Sequence, residues 1–288
     1  MIERSKMRRL IKKTIVYALL VFFASVLMFP FFWLISASLK LDRDVFSIPE
    51  GSGVFAILAN VTPREPVWGN YVNIWTRIPL IAYLQNSGFL TIAVTILQLL
   101  TSSFAAYAFS KLRFKGRTVL FLAYVATIAV PWQAYMVPQY IMFRTMGLVN
   151  THMAMIILQA FTAFGVFLMK QFYDTVPDEL LEAARIDGMS EYGIWVRIML
   201  PLSKPAIATL TIFTFVATWN DYLGPRLYLA HPSLWTVQIG MRQFIGLYSS
   251  EFGLIMAISV VSLVPILIVF FTLQKFFVQG IATSGLKV

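Results

Sequence analysis

The chain has 288 residues, of which 59% are hydrophobic and only 12% charged, and its mean hydropathy is +0.75. A soluble domain of this size does not carry so much apolar surface with so little charge, so the composition implies an integral membrane protein. The absence of Cys excludes disulfides and cysteine metal sites, and two histidines, His152 and His231, are too few for a histidine-based one.

A basic start, Arg4 to Lys13, leads into the uncharged run Thr14–Leu39. That run is about twice as long as a signal-peptide core and reads as an uncleaved first span. Further uncharged runs long enough to cross a bilayer are Ile78–Ser110, Thr118–Phe143, Thr145–Met169 and Phe252–Gln274. Pro205–Asn220 is shorter. It reaches span length only by continuing past Asp221 to about Leu223, with the carboxylate in the last turn near the interface. The expected fold class is all-α, a polytopic membrane protein of six transmembrane helices in one domain, residues 1–288. Pro30, Pro131 and Pro265 fall near mid-membrane, where each removes a backbone bond and shapes its helix. Between the first two spans, Trp68, Tyr71 and Trp75 fit either a partner surface or a connector lying at the headgroups.

Six spans place both termini on one side. With that side cytoplasmic, the inner segments hold 16 of the 23 Lys and Arg residues. The net charge of +10 is then a mark of topology rather than of nucleic-acid binding.

Residues 174–204, between the fourth and fifth spans, form a polar cytoplasmic insert. Pro177 suits the first position of a helix, and Asp178 and Glu179 complement its dipole. Gly188 suits the left-handed position after it. Ser190 caps a second helix with Ile194, Trp195 and Ile198 on one face, and Pro201 marks the exit toward the fifth span. A helix-turn-helix of this kind either rests on headgroups or docks a protein. Arg185 faces Asp178, Glu179, Glu182 and Asp187, and so acidic a helix is a poor anchor on an anionic leaflet. A protein partner is the better reading.

The stretches "EAARIDG" and "IMLPLSKP" resemble the EAA loop of ABC importer permease subunits, in Glu182, Ala183, Ala184, Gly188, Ile198, Leu200 and Pro201. Asp187-Gly188 and the following Leu200-Pro201-Leu202 look like the carbohydrate, maltose-type branch. "QNSGFLTIAVTILQLLTSSFAAYAFSKLRFKGR", "WNDYLGPRLYL", "LWTVQIGMRQF" and "QKFFVQGIATSGLKV" extend the likeness over about residues 83–275 and into the tail. The tail departs from the family ending at Val288. The resemblance implies a type I importer permease in a bacterial inner membrane. Glu182, Ala183, Ala184, Asp187, Gly188, Leu200 and Pro201 would couple it to an ATPase, with small Ala183 and Ala184 allowing close approach. The implied partners are a second permease, two cytoplasmic ATPase subunits, an extracytoplasmic substrate-binding protein, a carbohydrate and membrane lipid. ATP and Mg would sit in the ATPase subunits.

This chain carries no P-loop, no G-x-S-x-G and no H-E-x-x-H, so it is read as a permease and not an enzyme. Asn86, Gln98 and Gln159 can hydrogen-bond a sugar or another helix. Asn220 and Asp221 are candidates for an outer gate or for structural caps. The alternatives are an importer of the same build for a non-sugar solute and an ATP-independent secondary transporter. The latter usually shows duplicated halves and intramembrane charges, neither of which the sequence has.

Overall fold

The computed structural model describes residues 2–47, 61–63, 65–245 and 251–284. Most of the first connector and the tail position Val288 lie outside them. Apart from short turns at Asp42–Val45 and Leu200–Leu202, the described α-helices are α1 (Ile2–Ser38), α2 (Gly69–Thr76), α3 (Leu80–Lys111), α4 (Arg117–Ala126), α5 (Met136–Thr145), α6 (His152–Gln159) and α7 (Ala163–Tyr173). They continue with α8 (Asp178–Ile186), α9 (Glu191–Ile194), α10 (Lys204–Trp219), α11 (Leu223–Tyr228), α12 (Val237–Arg242) and α13 (Phe252–Ser284). No β-strand occurs among the described residues.

Among the described residues, three helices are long and apolar enough to cross a membrane: Arg9–Ser38 within α1, α3, and Phe252–Phe276 within α13. Two more spans result if the bent pairs α6–α7 (43°) and Glu191–Leu202 with α10 (79°) each count as one. The predicted third span, Thr118–Phe143, is not one helix. It winds into a 3-10 turn at Thr127–Ala129 and breaks at Val130-Pro131 before α5 begins. Pro131 has no N–H for a helical bond and forces its predecessor toward extended backbone, as the φ of −87° and ψ of 110° at Val130 show. Pro30 and Pro265, by contrast, lie inside helices that continue through them. The predicted fifth span also stops early: α10 ends at Trp219, so Asp221 falls beyond it and not in its last turn.

The described chain packs as two compact units. In residues 1–78 with 241–262, Asn70 Nδ2 donates to the carbonyls of Ser38 and Lys40, each at 2.9 Å, and holds the end of α1. Tyr71 shares a 2.7 Å hydrogen bond with Ser38, and Glu251 pairs with Arg77. In residues 79–240 with 263–288, the axis is α3 packed on α7 and α10. Small buried residues, Ser102, Ser103 and Ala106 on α3 and Gly165 on α7, bring the backbones close. A Cβ on Gly165 would sit 2.4 Å from Ser102 Oγ and 2.7 Å from Thr162 Cγ2. Gly165→Val should therefore cost about 1–3 kcal/mol of overpacking and Gly165→Ala less. Melting of the purified chain checks this, the valine variant unfolding at the lower temperature.

Candidate functional site

The insert folds as the sequence predicts, with an N-terminus shifted by one residue. Pro177 is the residue before α8, extended at φ −59° and ψ 137°, and Asp178 opens the helix. At the other end Gly188 takes φ +81°. Its N–H bonds the Arg185 carbonyl at 3.0 Å and the Met189 N–H bonds Ala184 at 2.9 Å, which satisfies the last carbonyls of α8 in a Schellman turn. Ser190 then caps α9 by accepting from the Gly193 N–H at 3.2 Å. Trp195–Met199 widens to a π turn, with the Leu200 N–H bonded to the Trp195 carbonyl. Such a turn accommodates Pro201, which has no N–H to offer the ordinary helical ladder. The chain then bends by 79° into α10.

The inner face of this element belongs to the core of its own chain. Leu181, Ala184, Ile194, Trp195 and Met199 are buried with Tyr107 of α3, Met169 and Tyr173 of α7, and Leu210 of α10. The Trp195 indole N–H donates to Ser103 Oγ at 3.1 Å. Leu200 packs half-buried against the same cluster. Polar bonds fix the edges. Glu191 accepts from Arg185 Nε at 2.7 Å and from the Tyr107 hydroxyl. Lys111, at the end of α3, donates 2.6 Å bonds to Asp178 and to the Val176 carbonyl.

Two expectations are corrected by this packing. Arg185 pairs with Glu191 of the next helix rather than with the acids of its own, because the Gly188 reversal folds α9 back beside it. Ala184 is only 6% exposed, so its small size serves close packing inside the chain, not approach by a partner. Glu182, Ala183, Asp187, Gly188 and Pro201 do face outward. Leu180, Tyr192 and above all Ile186, 86% exposed, join them as apolar residues that the motif does not name. Ser103, Tyr107 and Lys111 were also missed as anchors. Their spacing of four on a single helix face was the available signal.

Lys111 is almost fully buried while its partner Asp178 is largely exposed. The hydrogen bond from Lys111 holds the Asp178 carboxyl below the ordinary aspartate value of 3.8. The folded form thus prefers the carboxylate. The pair's contribution is complete above that value and is lost as pH falls through the lower folded one. The protection factor for amide exchange over residues 176–181 should stay constant from about pH 7 to 5 and fall only below about 4.

A second group lies around a cavity of about 400 Å³ lined by Gln98, Trp132, Tyr135, Gln159, Asp221 and Gly224, among others. Gln98 accepts from Thr214 at 2.7 Å and donates to the Gln159 carbonyl at 2.6 Å. Gln159 accepts from Thr218 at 2.9 Å and donates to Asp221 at 3.1 Å. Both glutamines thus bond neighbouring helices and line the cavity. Asp221 also accepts from the Gly224 N–H at 3.0 Å, and burial pushes its carboxyl above the ordinary value. Asn86 and Asn220 are not among the lining residues. Asn86 donates to the carbonyls of Ser233 and Trp235 at 2.8 and 3.0 Å, and Asn220 accepts from Gln238 at 3.3 Å.

Several long apolar helices, with a surface reversal anchored to α3 and a polar cavity beside it, define a multi-pass helical membrane protein of permease build. Residues 98–283 match the model of the family described as "Binding-protein-dependent transport system inner membrane component", and the chain belongs to that family. It is thus an ABC importer permease subunit, and membership implies a partner ATPase and a substrate-binding protein. The chain is 32% identical over 267 residues to the arabinooligosaccharides transport system permease protein AraQ of Halalkalibacterium halodurans, covering 92% of this chain and 93% of that one. It is 28% identical to the lactose transport system permease protein LacG of Rhizobium radiobacter, covering 96% and 98% of the two. In fold it resembles a chain in the crystal structure of a bacterial ABC transporter involved in the import of the acidic polysaccharide alginate. That match has a TM-score of 0.76 at 24% identity and covers 93% of this chain and 96% of the other.

Proposed function

We propose that this permease forms part of the membrane pathway for a sugar or oligosaccharide and takes its drive from a cytoplasmic ATPase through residues 174–204. The observation that carries the coupling role is the two-faced character of that element. Trp195, Leu181 and Lys111 tie one face to α3, while Ile186 projects from the other beside the Gly188 reversal. A load on the outer face therefore reaches a membrane helix through packed side chains. The partner's contacts must differ between its open and closed states for work to pass. Glu182, Ala183, Asp187, Gly188 and Pro201 form the docking surface; Ala184 and Leu200 support it from within.

The sugar assignment draws on the relatives named for arabinooligosaccharide and lactose transport. The cavity supports it chemically, since amides, a carboxylate and the aromatic rings of Trp132 and Tyr135 are groups that sugars use. Asp221 contributes to that lining. Asn86 and Asn220 act as outer braces. The assembly has a second permease, two ATPase subunits that hold ATP and Mg, and an extracytoplasmic binding protein. The termini and residues 174–204 share the cytoplasmic side. Uptake of labelled arabinooligosaccharide and lactose by the reconstituted complex tests this. Accumulation that needs both ATP and the binding protein is expected. Sugar entry without ATP, through this chain alone, would overturn it.

A further inference from the structure

The turn between α3 and α4 carries Arg113, Lys115 and Arg117 within five residues, and no acidic residue occurs from 66 to 173. The turn follows the end of a membrane-length helix, and Lys111 ties that end to Asp178. Gly116, at φ +82°, reverses the chain into α4. Arg117 is spent on shape: its Nη1 donates to the carbonyls of Ser110 and Leu112 at 3.3 and 3.0 Å. Arg113 and Lys115 are exposed and form no ion pair among the described residues. Arg113 lines an open hollow of about 440 Å³ with Phe114, Gly116, Arg117, Thr118 and Val119, and Lys115 belongs to the same turn.

Apolar surface runs on from the hollow. No residue of α4 is buried, and Val119 is 71% exposed, with Phe114, Leu120 and Leu122 also open. Cations beside such an apolar face, where a span ends, match an amphiphile with a negative head and hydrocarbon tails. A soluble anion would leave the apolar half uncovered. We infer that this turn binds the phosphate of an anionic phospholipid headgroup, with the acyl chains lying along α4. The site does not depend on the proposed substrate; because Arg113 also lines a hollow with Asp178 and Glu182 beside the coupling surface, lipid retention and not uptake is the readout.

Native mass spectrometry of the full chain in its complex, offered equal phosphatidylglycerol and phosphatidylcholine, tests the inference. The wild type should retain phosphatidylglycerol selectively. Arg113→Gln with Lys115→Gln should lower that retention roughly 25-fold, from a factor of about five per cation near the surface. Arg113→Lys with Lys115→Arg should keep it. A photoreactive phosphatidylglycerol on the wild type, which needs no folded variant, should label the peptide 112–120. Equal retention by wild type and the Gln variant would overturn the inference. So would labelling elsewhere only, displacement by millimolar glycerol phosphate, or protection of this peptide by the second permease subunit.

Discussion

Gly188→Pro should abolish ATP-driven uptake while leaving the chain in the membrane. Gly188 holds φ +81°, and its N–H bonds the Arg185 carbonyl at 3.0 Å. Proline fixes φ near −65° and has no N–H, so the reversal cannot form, at a cost of about 3 kcal/mol or more. Space is not the issue, because a Cβ at this position meets nothing within 4 Å. The backbone angle decides, with the lost N–H bond added for proline, and that sets a graded series. Gly188→Asn should be nearly silent, since Asn tolerates the left-handed region, whereas Gly188→Ala should cost about 1–2 kcal/mol. ATPase activity stimulated by loaded binding protein should fall more than tenfold for proline and little for asparagine. Equal activity across the series would remove the reversal from the mechanism.

Trp195→Ala should uncouple the complex in a different way, by loosening the inner face. The indole is 6% exposed, donates to Ser103, and meets Phe104 edge-on at 5.2 Å between ring centroids. Removing a side chain of this size from a packed core costs about 3–5 kcal/mol. The loss falls where α9 meets α3, so hydrogen exchange over residues 191–202 should rise well before global unfolding. Stimulation of the ATPase should drop while its basal rate persists. Trp195→Phe retains most of the packing but loses the hydrogen bond to Ser103, at about 0.5–1.5 kcal/mol, and should fall between. An alanine variant with unchanged exchange and unchanged stimulation would show that the inner face transmits nothing.

The parts of this molecule legible in its sequence are those set by local chemistry. Gly188 and Ser190 announce a reversal and a cap, and Asp178 and Glu179 a first helical turn, because their preferences act over a few residues, and each stands there in the structure. The apolar runs announce α1, α3 and α13 for the same reason. Tertiary pairing is less legible. The burial of Ala184 and the pairing of Arg185 with Glu191 depend on where the reversal delivers α9, which no local rule fixes. Pro131 carried a readable warning, but hydropathy runs smoothly across it. The break at Val130 shows backbone chemistry overriding apolar length. Asp221 similarly follows the end of α10 and bonds the Gly224 N–H of the next helix, an Asx-type role open to any short acid after a helix.

The chain has no native cysteine, so Ile186→Cys places a single thiol at the most outward apolar point of the docking face. Crosslinking from that thiol in the assembled complex, with a short bifunctional reagent, tests the coupling account most directly. A crosslink to the ATPase subunit whose yield changes between nucleotide-free and ATP-bound states is the predicted result. A thiol that reacts freely in every state, or that joins only lipid or the second permease, would contradict the account.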